Sequence, residues 1–121
     1  MNQTLYERYG GFSTISRLVM AFYDNLLESD QIADYFEDVD MRRLIDHQTK
    51  FVASLMGGPA SYSNEALKNV HARLNIDNAS FSEMANILRK TMVDFNMEKE
   101  DIDHVIQAIE DRRHVIVNLE A

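Results

Sequence analysis

The chain has 121 residues, no cysteine and a formal net charge of −8. That length suits one domain with its own core, and the missing cysteine excludes disulfides as well as thiolate ligation of a metal or haem. The negative charge argues against a nucleic-acid surface, whose affinity comes from clustered Lys and Arg. No apolar run approaches the eighteen or so residues that cross a bilayer, and the opening MNQTLYERYGG has neither a basic nor an apolar leader segment. A cytoplasmic protein with no membrane partner is expected.

Glycine punctuates the chain: Gly10-Gly11 and Gly57-Gly58 are its two pairs, and the single proline, Pro59, follows the second. The residues between are strong helix formers, and their apolar spacing of three to four predicts an all-α chain. A first helix is expected at about 5–9, opened by the capping-box spacing of Thr4 and Glu7. The next, about 12–27, carries Ile15, Val19, Phe22 and Leu26 in one stripe, with Leu18 and Tyr23 beside it. By itself Tyr23 reads as a core tyrosine whose hydroxyl reaches water or a carbonyl. A short helix at about 31–36 ends in Tyr35-Phe36. Asp38 and Asp40 then offer caps to a helix at about 41–56, striped by Met41, Leu44, Gln48, Phe51 and Leu55. Gln48 is out of place there. A buried amide needs partners, so it is either satisfied by backbone or donates to a ligand.

Beyond Gly-Gly-Pro, residues 60–64 read as loop, with Ser63 a cap for a helix at about 64–74. That helix sets Leu67, Val70, His71 and Leu74 on one face. His47 adjoins Leu44 and Phe51 on the preceding helix. One inward histidine is usually a satisfied core residue, but two in apolar stripes on either side of a break make a candidate iron or haem site, because neutral imidazole is a common ligand. Arg42, Arg43, Lys50, Lys68 and Arg73 flank it; most read as solvated faces, and one or two are candidates to pair with an anionic group such as a haem propionate. Ser80 and Glu83 repeat the capping-box spacing and open a helix to about 95 with Phe81, Met84, Leu88, Met92 and Phe95. A last helix, about 100–118, carries Ile102, Val105, Ile106, Ile109 and Ile116.

Phe22-Tyr23, Tyr35-Phe36 ahead of Asp38-Val39-Asp40-Met41, His47-Gln48 with Phe51, Gly57-Gly58-Pro59, and His71 ahead of Leu74 and Ile76 occur in order with the glycine pairs. In this combination the chain resembles the group I truncated haemoglobins, from Leu5 to about Asn118. The resemblance implies a single truncated globin domain over residues 1–121, folded as a two-over-two helical sandwich that encloses haem b (iron protoporphyrin IX). In it, the pair 12–27 and 41–56 crosses the pair 80–95 and 100–118. It further implies His71 as the proximal iron ligand and Phe36 packed on the porphyrin, with Leu44, His47, Phe51, Leu67, Leu74, Ile76, Phe81 and Met84 around the cofactor. Tyr23 and Gln48 fall where the family keeps its distal hydrogen-bond donors. Bound dioxygen carries partial negative charge, so a phenol and an amide in a dry pocket stabilise it more than carbon monoxide.

His47 lies where some members, especially cyanobacterial ones, have a histidine that coordinates iron in the absence of external ligand; the other reading is a solvent-facing histidine near a propionate. His114 falls near a position that in certain cyanobacterial members bonds covalently to haem, although Arg112 and Arg113 beside it favour an exposed turn. His104 reads as surface. Phe51 is followed by Val52, where members proposed to channel gases have a second aromatic, so that property transfers only in part.

The resemblance thus implies a haem protein for dioxygen, nitric oxide and carbon monoxide, with oxidation of nitric oxide to nitrate as a candidate reaction. The sequence has no GxGxxG and no length for a reductase domain, so turnover would need an external reductase. The alternative is a bis-histidyl haem protein, ligated by His47 and His71, in electron transfer, peroxidase-like chemistry or gas sensing. Small size and acidic surface suit a monomer. A cofactor-free helical module would leave two inward histidines and an inward glutamine unexplained.

Overall fold

A computed structural model describes residues 4–37, 39–58 and 76–117. The helix expected at 64–74, with Leu67, His71 and Leu74, lies outside the described residues, as does Pro59. Among the described residues every regular element is helical. Helix α1 is Leu5–Arg8, α2 Gly11–Leu27, a 3-10 helix Ala33–Phe36, α3 Met41–Leu55, α4 Asn78–Asp94, α5 Lys99–Glu110 and α6 Arg113–Ile116.

Helix α1 has the expected box: the Thr4 hydroxyl accepts from the Glu7 N–H, and the Glu7 carboxylate accepts from the Thr4 N–H. Helix α2 buries Ile15, Leu18, Val19, Phe22, Tyr23 and Leu26, an i, i+3, i+4, i+7 face that makes it the centre of the molecule. It packs on α3 along one side and on α4 along the other, while α5 packs on α4 and reaches α3. Met92, Val105 and Val19 are wholly inaccessible where these helices meet. Across the α2–α4 contact the Asn25 amide donates to the Thr91 hydroxyl (3.0 Å), which donates to the Ile87 carbonyl (2.8 Å).

Glycine ends α3 for a geometric reason. Gly57 takes φ +87°, its N–H returns to Ser54 O (3.3 Å), and the Gly58 N–H returns to Ala53 O (2.8 Å), which is a Schellman cap. A Cβ on Gly58 would lie 2.8 Å from that same carbonyl and 2.9 Å from the Tyr6 ring. Helix α1 is held there by the Tyr6 N–H to the Met56 carbonyl (2.8 Å).

Two boundaries differ from expectation. Helix α4 begins at Asn78, because the Asp77 carboxylate, not Ser80, caps it; Ser80 instead donates its N–H to Asp77 (2.7 Å). The last helix is not continuous. Helix α5 stops at Glu110, and a turn at 111–112 leads to the short α6. In that turn Arg112 bends back to the Ala108 carbonyl (2.5 Å). Arg113 pairs with Glu110 (2.9 Å), donates to Ser82 (2.9 Å) and to the Asn78 carbonyl (3.2 Å), and lies 4.5 Å over the Phe81 ring. These contacts hold α6 against the start of α4.

Candidate functional site

A cavity of about 320 Å³ lies between α2, α3 and α4, with the 3-10 helix along one side and Ile109 and Ile116 behind it. Its wall includes Phe22, Leu26, Phe36, Leu44, Phe51, Ile76, Phe81, Met84 and Leu88, so apolar side chains dominate. Cavities of roughly 300–1,000 Å³ with few polar groups are the usual form of a small-molecule or cofactor site. Here the polar groups are Tyr23, Gln48, Tyr35 and Ser80.

Tyr23 comes from the buried face of α2 and is 6% exposed. Its ring packs on Phe22 (centroids 5.2 Å apart) and meets Phe36 edge to face (5.5 Å, interplanar angle 86°). Burial pushes the phenol well above the usual tyrosine range, so it stays a neutral donor. Gln48 reaches the same cavity from α3. Neither its amide nor the Tyr23 hydroxyl has a hydrogen-bond partner among the described residues. Both groups open onto the cavity, Tyr23 from a buried residue and Gln48 from a half-buried one. Two such groups in one apolar cavity fit a ligand that accepts hydrogen bonds.

Tyr35 and Ser80, by contrast, satisfy each other: the phenol donates to the Ser80 hydroxyl at 3.1 Å. Hydrogen bonds from the Ser80 backbone and then its side chain hold the Asp77 carboxyl below the usual carboxylate range.

The cavity brings together Tyr23, Gln48, Phe36, Leu44, Phe51, Ile76, Phe81 and Met84 of the residues singled out in the sequence. Leu67, His71 and Leu74 lie outside the described residues. His47 is exposed on α3 and is not part of the cavity wall; successive helical residues point about 100° apart, and it is Gln48 that faces inward. His104 and His114 are exposed and also away from the wall. Arg42 and Arg43 are exposed, and Lys50 pairs with Asp46 (3.1 Å). Val52, Tyr35, Ser80, Ile109 and Ile116 also line the cavity, beyond the residues that the sequence assigns to the site. Val52 is legible at i+4 from Gln48. The others depend on packing between distant segments.

The model of the bacterial-like globin family matches residues 4–118. The chain belongs to that family. It is 28% identical over 111 residues to a group 1 truncated haemoglobin of Tetrahymena pyriformis, covering 92% of each chain. It is 29% identical over 106 residues to one of Synechocystis, covering 84% of this chain and 86% of that one. The crystal structure of the Tetrahymena pyriformis truncated haemoglobin in its Fe(III) form superposes with a TM-score of 0.87 at 27% identity, over 96% of this chain and 99% of that one. The chain is therefore a group I truncated globin with the two-over-two fold. Its cofactor is haem, which the mostly apolar cavity, its aromatic wall and the two donors that open into it fit.

Proposed function

We propose that this globin binds diatomic gases at a haem iron ligated by His71, and that Tyr23 and Gln48 hold the bound ligand. The observation that carries this reading is that Tyr23 and Gln48, in a mostly apolar cavity, have no hydrogen-bond partner among the described residues. The haem would supply a ferrous iron that takes up dioxygen, nitric oxide or carbon monoxide. Phe36, Leu44, Phe51 and Met84 would exclude water around it. The neutral Tyr23 phenol would donate to the outer atom of a polar ligand, and the Gln48 amide would donate beside it, each gaining strength from the dry surroundings. Dioxygen, which accepts hydrogen bonds better than carbon monoxide, would be held preferentially and released slowly.

Oxidation of nitric oxide to nitrate is the reaction we assign to this arrangement, with an external reductase returning the iron to the ferrous state. The protein would work as one monomeric domain in the cytoplasm; no helix among the described residues is long and apolar enough to cross a membrane. The test is to mix the oxygenated protein with nitric oxide. Nitrate should form in one fast step, slowed in Tyr23→Phe, and should accumulate over many turnovers once a ferredoxin or flavin reductase is added. Absence of nitrate would refute the reaction, while oxygen binding alone would leave a reversible carrier.

A further inference from the structure

We propose that Tyr35, through its hydrogen bond to Ser80, is a positioning residue for Tyr23 and thereby sets how tightly the cavity holds a hydrogen-bond-accepting gas. The inference rests on the reading of Tyr23 as a donor to the bound ligand. Phe22 and Phe36 both pack on the Tyr23 ring. Phe22 is its neighbour on α2, so its place is given by the same helix. Phe36 arrives from the 3-10 helix, and the place of that helix decides how far the Tyr23 ring can swing.

The 3-10 helix is short. Its start is tied to the preceding turn by the Ala33 N–H to Ser29 O (2.8 Å), but it has four residues, no side-chain N-cap, and a longer closing bond from the Glu37 N–H to Asp34 O (3.4 Å). Its tie to α4 is Tyr35, which donates to Ser80 across 45 residues of sequence at 3.1 Å. Ser80 is a firm anchor. It is 5% exposed, sits in the first turn of the 17-residue α4, and its N–H is bound by Asp77 at 2.7 Å. Tyr35 thus connects α4 to the 3-10 helix that carries Phe36. Loss of that connection lets Phe36 retreat from the edge-on contact at 5.5 Å and frees the Tyr23 phenol to leave its ligand.

The experiment uses the haem-loaded protein and compares Tyr35→Phe and Ser80→Ala, each alone and combined with Tyr23→Phe. The readouts are dissociation rates of dioxygen and carbon monoxide and the infrared C–O stretch of bound carbon monoxide. Both single variants should speed dioxygen release about two- to tenfold, leave carbon monoxide release unchanged, and shift or broaden the C–O band. In the Tyr23→Phe background neither should add anything, because the residue they position is gone. Equal acceleration of both gases, or a full effect that persists with Tyr23→Phe, would overturn the inference. If Tyr23→Phe is strongly perturbed while Tyr35→Phe and Ser80→Ala are silent, the positioning role alone fails. If Tyr23→Phe itself leaves dioxygen release unchanged, the donor reading fails and takes this inference with it.

Discussion

Two clusters of polar groups in this protein, each with a buried member, are built on opposite rules. Where α1 meets α5, Asp101 is 9% exposed, and its Oδ2 accepts from both the Arg8 guanidinium and the Tyr9 hydroxyl (2.5 Å), while that hydroxyl in turn accepts from the Glu98 N–H (3.0 Å). Burial and the bond to Asp101 push the Tyr9 phenol up, while the bond to Asp101 raises the Arg8 guanidinium. In the cavity, Tyr23 is as deeply buried but its hydroxyl has no partner among the described residues, and neither has the Gln48 amide. Paired groups hold the fold together, whereas donors that open unpaired onto a cavity are available to a ligand. The first is structural; in the function proposed above, the second serves the ligand.

The contrast is sharpest where one residue should affect function and not stability. Tyr23→Phe should accelerate dioxygen release about 10- to 100-fold, as expected for a strong hydrogen bond lost, with carbon monoxide release and urea midpoint nearly unchanged. Gln48→Leu should give the same pattern at about two- to tenfold. Asp101→Asn should do the reverse: it loosens the lock, costs about 1–3 kcal/mol in urea unfolding, and leaves gas release as it was. A drop in stability with Tyr23→Phe as large as that with Asp101→Asn would erase the distinction.

A pH titration separates the clusters by a smaller effect. The folded-state pKa of Tyr23 is raised by burial, so the unfolded chain ionises first. The stability tied to its neutral form is complete below about pH 10 and is lost as pH rises beyond it. Tyr23→Phe should make the unfolding free energy fall less steeply above about pH 10, and dioxygen release in the wild type should stay flat up to that pH. Smallest of all, Thr91→Val should cost about 1 kcal/mol by stranding the Asn25 amide, with no effect on ligands.

The sequence carries the parts of this picture that depend on local pattern. The stripe of α2, the box at Thr4 and Glu7, and the glycine stop after α3 follow from helix periodicity and capping chemistry. Gln48 is visible as an amide in an apolar line. The features beyond its reach depend on tertiary competition. Ser80 looks like a cap until Asp77 takes that role and Tyr35 claims the hydroxyl. The break at 111–112 follows from Arg113 reaching Asn78 and Ser82, partners more than thirty residues away. His47 and Gln48 are equally placed beside an apolar stripe on paper, and only the rotation of α3 in the fold turns one inward and the other out.

That last difference also bears on which histidine serves the iron. The measurement that addresses it is the absorption spectrum of the haem-loaded protein, ferric and ferrous, for wild type, His71→Ala and His47→Ala. With His71 as the ligand, the Soret band of the ferrous form should be high-spin, lost or shifted in His71→Ala and indifferent to His47→Ala. A low-spin wild type that becomes high-spin in His47→Ala would add His47 as a sixth ligand beside His71, whereas a spectrum unaffected by His71→Ala would contradict that assignment.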